Sequence, residues 1–265
     1  MRLFWATDIH LDYLSTTQRN AWILQSVQMV SENDAILLTG DICTSIELND
    51  VLEIFASLKR PIYFVLGNHD YYHNSIAHTR NAVEKLCKKQ SNLHWLSITE
   101  PIICNNTAII GHEGWGDGQN GAYLETPVRI QDARQIIDFQ GLSRENLQQK
   151  IKHLGLEAAR HIHKNIEKSI QRGANKILVC THVPPFAESA WHNGEWGHWN
   201  YLPDFTCKAV GDTLLDCANK HPNVQFEVRC GHGHSEGIAH MLSNLVVCTG
   251  KAEYSNPQFQ EIILL

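Results

Sequence analysis

Short apolar runs alternate along the chain with stretches in which apolar residues recur every three or four positions. Residues 2–6, 35–39 and 61–66 are apolar runs that end where polar residues begin, which is typical of buried strands. Between them, residues 17–30 and 47–58 have helical spacing. This strand–helix order predicts parallel strands that are joined by helical crossovers.

The clearest helix is predicted at about 143–171, because its apolar residues form one stripe. Ser143 can cap its start, and Gly173 can end it. The remaining predictions are helices at about 73–89 and 206–219, and strands at about 93–96, 101–104, 107–111, 176–181, 224–229, 238–241, 245–248 and 259–264. This order predicts a mixed α/β fold in which two sheets are sandwiched between helices.

No internal repeat, low-complexity tract or linker divides the 265 residues. We therefore expect one domain over residues 1–265, with inserted loops at about 112–142 and 184–204. The net charge of −6 and the pI of about 6.2 give no sign of a basic surface for nucleic acid. This balance disfavours a DNA or RNA substrate but leaves room for a local basic patch.

No stretch approaches the ~18 to 20 apolar residues of a membrane span, and the N-terminal apolar run is too short for a signal peptide. The eight cysteines are scattered and never form a C-x-x-C pair. Buried reduced thiols are the favoured interpretation. We therefore expect a cytoplasmic protein without a membrane partner, whose oligomeric state the sequence does not give.

Polar residues with metal-binding side chains follow five of the predicted strands directly. In α/β sheets, ligands collect at the carboxyl ends of strands, where the loops converge. The five segments are Asp8-Ile9-His10, Gly40-Asp41, Gly67-Asn68-His69-Asp70, Thr181-His182 and Gly231-His232-Gly233-His234.

Carboxylate, imidazole and amide ligands together suit divalent or trivalent ions such as Mn, Fe or Zn. No thiolate takes part, which disfavours a structural zinc site. In Asp8-x-His10 and His232-x-His234 the side chains are two positions apart, so extended backbone would point both to the same side. The glycines before Asp41, Asn68 and His232 would let the backbone bend closely around an ion.

The ordered set D-x-H, G-D, G-N-H-D, an isolated H and G-H-x-H resembles the signature of the calcineurin-like metallophosphoesterase superfamily. The resemblance runs from Asp8 to His234, and every element of the signature is present. It implies a four-layer α/β/β/α fold with two metal ions, which Asp41 would bridge. The implied ligands are Asp8, His10, Asp41 and His234 for one metal, and Asp41, Asn68, His182 and His232 for the other.

Two cations about 3.5 to 4 Å apart can bind a phosphate oxygen and hold a bridging hydroxide that attacks phosphorus. His69 resembles the family's histidine that is not a ligand and that stabilises or protonates the leaving oxygen. Asp70 is expected to orient the His69 imidazole and raise its pKa. The alternative is that His69 is only buried beside the site.

Substrate-binding residues are expected in the two inserted loops. In the first loop, His112 and Trp115 follow a strand, and Arg129 can donate to a phosphate. In the second, Trp191 and Trp196 belong to a tract with three tryptophans and two histidines in nine residues. Such a tract suits stacking on an aromatic group or a contact between two copies of the chain. For the first loop, the alternative is a surface loop without a role in binding.

The predicted function is the metal-dependent hydrolysis of phosphomonoesters or phosphodiesters. A nuclease of the same fold is a second hypothesis, and it would need a basic track for the nucleic-acid backbone. A third is an inactive metal-binding scaffold, which would not need the complete ligand set together with His69.

Overall fold

The structure is a computed structural model that describes residues 1–26 and 28–265. The helices are α1 (Thr16–Ser26), α2 (Leu48–Ser57), α3 (Ile76–Lys89), α4 (Asp132–Gln135), α5 (Arg144–Gln171), α6 (Leu202–Phe205) and α7 (Lys208–Lys220). The strands are β1 (Arg2–Ala6), β2 (Ala35–Thr39), β3 (Ile62–Val65), β4 (Leu93–Trp95), β5 (Ile102–Cys104), β6 (Thr107–Gly111), β7 (Lys176–Cys180), β8 (Trp191–His192), β9 (Glu195–Trp196), β10 (Gln225–Cys230), β11 (Gly237–Leu242), β12 (Leu245–Thr249) and β13 (Glu261–Leu264).

Most of the strands form two mixed sheets. The first sheet has the order β13-β1-β2-β3-β4, in which only β13 is antiparallel to its neighbour. The second has the order β11-β12-β10-β7-β6-β5, with a parallel centre and an antiparallel strand at each edge. The parallel centres place the carboxyl ends of β1, β2 and β3 at one edge, and those of β7 and β10 at the same edge of their own sheet.

Alternate residues of the central strands enter different hydrophobic layers. Phe4 and Leu38 face helices α1, α2 and α3, while Leu3 and Leu37 face the second sheet. In β7, Leu178 faces the first sheet, whereas its neighbours face α5 and α7. The order of layers is helix, sheet, sheet, helix. The α/β prediction of a four-layer sandwich of two mixed sheets flanked by helices is confirmed.

Most predicted elements lie within a few residues of the observed ones, and the largest differences between them occur at helix ends. The helix predicted at 17–30 includes Val27, which lies outside the described residues. Its described part ends at Ser26, and residues 28–30 form a turn and a bend. The longest helix begins and ends as predicted, because Ser143 Oγ accepts a hydrogen bond from Asn146 N and Gly173 adopts a φ of +85° just after the helix.

The two segments predicted as irregular loops contain short elements. Residues 112–142 include α4, and residues 184–204 include the β8–β9 hairpin and α6 up to Asp204. No helix in the described part of the chain is both long and apolar enough to cross a membrane. All eight cysteines are free.

The layer between the two sheets is made of buried apolar side chains, so we expect Leu178→Ala to be strongly destabilising. Leu178 is fully buried there, and a Leu→Ala cavity costs about 2 to 5 kcal/mol. The matched control is Leu264→Ala on β13, where the side chain is 72% exposed, with an expected change within about 0.5 kcal/mol. Urea unfolding of chelator-treated protein measures both, and equal losses would contradict this layering.

Candidate metal centre

The predicted ligand residues come from five strand ends that meet where the two sheets adjoin. Asp8 and His10 follow β1, Asp41 follows β2 and Asn68 follows β3, all from the first sheet. The second sheet contributes the histidines that follow β7 and β10, which are His182, His232 and His234. Neighbouring turns are held together by backbone hydrogen bonds such as Asp8 N to Gly40 O (3.0 Å) and Gly231 N to His182 O (2.9 Å).

The backbone at these turns is not extended. Asp8, His10, Asp41, His232 and His234 all have φ values between +39° and +70°. Few residues other than glycine adopt this left-handed region, and such strain is concentrated at functional sites. The expectation that extended backbone would point both side chains of a pair to the same side is therefore wrong: Asp8 and His10 do meet in one group of donors, whereas His232 and His234 belong to different groups.

A first group of donor atoms lies around His10. Its Nε2 is 3.1 Å from His234 Nε2 and 3.7 Å from Asp41 Oδ2. Asp8 closes the group, with Oδ1 3.5 Å from His234 Nε2. These separations are those between neighbouring ligands on a cation whose bonds are about 2.0 to 2.2 Å long.

A second group lies around His182 Nε2, on the other side of Asp41. This nitrogen is 3.1 Å from Asn68 Oδ1, 3.2 Å from His232 Nδ1 and 3.4 Å from Asp41 Oδ1. Asp41 thus offers one carboxylate oxygen to each group. Asp8, His10, Asp41 and His182 are at most 2% exposed, so these donors lie in the interior of the protein.

The outer nitrogens of two histidines donate to backbone carbonyls, which leaves their inner nitrogens free to bind a metal when the rings are neutral. His182 Nδ1 lies 3.0 Å from Thr39 O, and His232 Nε2 lies 3.1 Å from Asp204 O. Because a carbonyl oxygen only accepts, both outer nitrogens donate, and neutral rings then direct lone pairs toward each other. A cation satisfies two facing lone pairs and the carboxylates at once, so this donor set fits a metal centre.

Burial and neighbouring charges shift the pKa values of these groups in different directions. Burial lowers the pKa of His10 to about 4, and burial together with His182 does the same for His232. For Asp8, burial acts in the opposite direction, but His182 and His234 outweigh it and lower its pKa to about 2. Burial also disfavours charged His182, yet Asp41 and Asp8 raise its pKa to about 10, which shows how strongly this site attracts positive charge.

His69 lies at the open side of the first group. Its backbone N–H donates to Asp41 Oδ1 (2.9 Å), and its Nε2 lies 4.0 Å from Asp41 Oδ2. The ring stacks on Tyr72 at 4.2 Å and meets His10 edge-on at 4.6 Å. His69 Nε2 is also close enough to His10 and Asp41 to complete a third group of donors.

Asp70 does not orient the His69 imidazole, so that expectation is wrong. Its Oδ1 accepts hydrogen bonds from the N–H groups of Ile42 (2.9 Å) and Cys43 (3.0 Å). Its Oδ2 accepts one from Gly67 N (2.7 Å). Asp70 is fully buried, and it instead joins the turn after β2 to the turn after β3, thereby fixing the positions of Asp41 and Asn68.

Two glycines allow the sheets to approach closely enough for the groups to form. Gly40 has a φ of +91°, and a Cβ there would lie 2.6 Å from Cγ of His182 in the other sheet. A Cβ on Gly231 would overlap the Asp8 carboxylate. The glycines before Asp41 and His232 therefore provide space between neighbouring turns as well as bending the backbone.

The first inserted loop brings two of its three predicted residues to a cavity of about 210 Å³ beside Asn68 and His232. Trp115 lines this cavity but is only 3% exposed, packing against Tyr71 and Phe139. Arg129 also lines it, although its Nη1 donates to the carbonyls of Thr126 and Val128, both at 2.6 Å.

His112 is the exception in this loop. It is buried, with Nδ1 2.9 Å from Glu113 Oε2, and is not among the described residues that line the cavity. In the second inserted loop, Trp191 lines a separate cavity of about 330 Å³ beside His232 and His234. Trp196 pairs with Trp191 across the β8–β9 hairpin, is 61% exposed and does not line that cavity.

Sequence reasoning missed three residues that contact the candidate ligands. Asp132 Oδ1 accepts from Asn68 Nδ2 (2.8 Å) and Tyr72 OH (2.7 Å), which fixes the amide of Asn68. The backbone oxygen of Asp204 accepts a hydrogen bond from His232 Nε2. Burial and the nearby charge of Asp132 raise the pKa of the Asp204 carboxyl to about 7. Tyr254 packs on the rings of His10 (4.7 Å) and His234 (5.0 Å). None of the three follows a strand directly, so a search for polar residues at strand ends does not identify them.

Because Asp70 connects two turns, we expect Asp70→Asn to weaken metal binding without removing a ligand. An amide can replace one acceptor oxygen, but its NH₂ group would face a backbone N–H. Changes in groups that support ligands typically cost about 10- to 100-fold in metal affinity. Calorimetric titration with manganese measures this loss, with Asp50→Asn on helix α2 as the control. Wild-type affinity in Asp70→Asn would contradict the proposed connection.

Comparison with known proteins agrees with this geometry. A dimetal phosphatase from Danio rerio has a TM-score of 0.57 at 13% identity, covering 94% of this chain and 86% of that one. A protein of Thermus thermophilus has a TM-score of 0.52 at 11% identity, covering 94% and 89%. These likenesses show the fold. A search of curated proteins finds no match. The model of the family described as calcineurin-like phosphoesterase matches residues 1–236, and the chain belongs to this family of phosphoester-hydrolysing enzymes.

Proposed function

We propose that this chain is a phosphomonoesterase or phosphodiesterase that uses two metal ions. The observation that carries the proposal is the pair of donor groups that share Asp41, in which the inner nitrogens of His182 and His232 face each other at 3.2 Å. Their outer nitrogens donate to Thr39 O and Asp204 O. A buried arrangement of this kind is costly unless a cation neutralises it.

The distances support the division of ligands that the family resemblance implies. Asp8, His10, Asp41 and His234 would hold one ion, while Asp41, Asn68, His182 and His232 would hold the other. The mixture of oxygen and imidazole donors favours Mn, Fe or Zn. When bound, two such cations would attract the phosphate oxygens and lower the pKa of a water molecule by several units.

The chain's own residues would then position the substrate and handle a proton. His69 is placed for the second task, because the Tyr72 ring and the Asp41 carboxylate fix its backbone and ring while 17% of its side chain stays accessible. Its Nε2 would give a proton to the leaving oxygen. In this proposal Asp70 is a positioning residue, acting through the turns that carry Asp41 and Asn68.

Two other functions remain as hypotheses. A nuclease would need a basic surface, and the net charge of −6 disfavours one. A metal-binding scaffold without activity has no use for an accessible His69 beside complete donor groups. We also infer that residues 1–265 form one domain, since both sheets supply ligands and β13 returns to pair with β1. The eight free cysteines favour a cytoplasmic location.

The proposal predicts that catalysis depends on bound metal. Chelator-treated protein should lose hydrolysis of p-nitrophenyl phosphate and bis-p-nitrophenyl phosphate, and added manganese should restore it. The ratio of the two rates separates a monoesterase from a diesterase. Activity that survives thorough chelation would exclude the two-metal mechanism. Metal binding without hydrolysis across a panel including cyclic nucleotides and a phosphopeptide would favour the scaffold.

A proton-donor role for His69 predicts a loss that depends on the leaving group. In His69→Ala we expect turnover to fall by about 10²- to 10⁴-fold for poor leaving groups such as alkyl alcohols, and by less for p-nitrophenol, which leaves without protonation. Bound manganese should stay at the wild-type amount. His78→Ala on the exposed face of α3 is the control. If all leaving groups were slowed equally, His69 would not be the proton donor.

A further inference from the structure

A row of aromatic rings leads away from the candidate ligand His232. Its ring lies 4.6 Å from Phe205. Phe205 in turn lies 6.0 Å from Tyr201 with the planes at 70°, and Tyr201 lies nearly parallel to His192 at 6.4 Å. These residues belong to the second inserted loop and to α6, so the loop extends the aromatic surface outward from the metal centre.

A second row begins at the candidate ligand His234. Tyr254 lies 5.0 Å from this ring and 4.7 Å from His10. Tyr13 lies 4.4 Å from Tyr254 and continues the row. Tyr254 stands after residue 236, where the match to the family model ends. It therefore belongs to the part of the chain that the family signature does not describe.

The cavity of about 330 Å³ lies between these rows, and we call it the aromatic slot. Its walls include Trp191, Tyr201, Phe205 and Tyr254, and the ligands His232 and His234 border its inner end. In the part of the chain that the structure describes, no Asp, Glu, Lys or Arg side chain lines it. A group bound there would meet ring faces and imidazoles directly beside the metal centre.

Trp191 packs closely against two glycines of the second sheet, Gly237 at the start of β11 and Gly233 in the turn before it. Its indole packs so closely on Gly237 that a Cβ there would overlap the ring. A Cβ on Gly233 would lie 3.0 Å from the carbonyl of Trp191. The indole is therefore a fixed wall of the slot, and a rigid ring loses little conformational entropy when it binds another ring.

The other cavity at the metal centre has a different chemistry. The carboxyls of Asp132 and Asp204 and the guanidiniums of Arg129 and Arg144 all line it. Apolar residues such as Trp115 and Phe139 also line this cavity, so what distinguishes it from the aromatic slot is the presence of charged side chains, which polar or charged groups could use. The two cavities share His232, so a phosphate at the centre has access to both.

We propose that the aromatic slot is a substrate subsite, and that the phosphoester carries an uncharged aromatic group, such as a nucleobase or a phenol, which stacks between Trp191 and Tyr254. This inference rests on the proposed function for the presence of a phosphate at the centre. The slot favours flat rings over saturated rings of similar size, because offset and edge-on ring contacts add to the hydrophobic effect.

The test uses phosphonates, which carry the oxyanion but have a P–C bond that the enzyme does not hydrolyse. Calorimetry on manganese-loaded protein gives the Kd of phenylphosphonate, cyclohexylphosphonate and methylphosphonate. We expect phenylphosphonate to bind about five- to tenfold more tightly than cyclohexylphosphonate. A parallel comparison measures the Kd of adenosine 5′-monophosphate and of ribose 5-phosphate. It uses protein loaded with a metal ion that does not support hydrolysis of either compound, and it shows whether the slot accepts nucleobases or only smaller rings.

Variants assign the preference to the slot. Trp191→Leu should bring the phenyl-to-cyclohexyl affinity ratio close to one while leaving the affinity for methylphosphonate within about twofold. Tyr254→Leu should also bring this ratio close to one, and because Tyr254 packs on His10 and His234, only the ratio is compared in this variant. The two residues lie in separate segments, so a local folding defect in one variant leaves the other informative. Trp199→Ala is the control, because Trp199 is 59% exposed and does not line the slot.

Equal affinities for the phenyl and cyclohexyl compounds in the wild type would overturn the inference. So would variants that keep the ratio but shift a monomer–dimer equilibrium in analytical ultracentrifugation, since the slot would then be a contact between two copies of the chain. In either case, metal-dependent hydrolysis of p-nitrophenyl phosphate would leave the proposed function intact. Conversely, a slot preference without hydrolysis would retain the subsite and reject the activity.

Discussion

The fold depends on bringing the polar ends of five strands from two sheets into one buried volume. Carboxylates in such a place are unfavourable unless hydrogen bonds or cations compensate for lost water. Backbone N–H groups supply the hydrogen bonds: Asp8 accepts from His232 N across the sheets, and Asp41 accepts from His69 N. The same contacts that make the ionised carboxylates tolerable also fix the turns on which the donor atoms stand.

Asp70 extends this principle beyond the candidate ligands. It offers no donor atom to either group, yet it receives three backbone N–H bonds from two turns. Because Asp70 follows His69 in the sequence, a contact between their side chains is expected. Successive residues in a tight turn, however, point their side chains in different directions. The local backbone directs Asp70 into the interior and His69 toward the open side. Adjacent residues thus have separate roles, one in the scaffold and one at the surface of the site.

The sequence predicts the layers well, because alternation in a strand such as β1 assigns Leu3 and Phe4 to opposite faces without further information. It also predicts which residues converge, since parallel strand ends share an edge. It does not predict left-handed backbone at His10, nor contacts made by carbonyl oxygens such as that of Asp204. Every residue type has a carbonyl, so no side-chain pattern marks it. Tyr254 likewise reaches the site through the path of the C-terminal segment alone.

Asp204 contacts both the candidate metal ligand His232 and the neighbouring cavity. Its backbone oxygen accepts from His232 Nε2 and so fixes the ring that would bind metal through Nδ1. Its carboxyl lines the cavity that also contains Arg144, while Phe205, the next residue, packs on the same His232 ring from the slot side. Asp204 and Phe205 both belong to α6, so this short helix contacts the His232 ring through a hydrogen bond and through an aromatic side chain. Because any residue at position 204 has a carbonyl oxygen, the side chains of the inserted loop can vary while its backbone still holds His232.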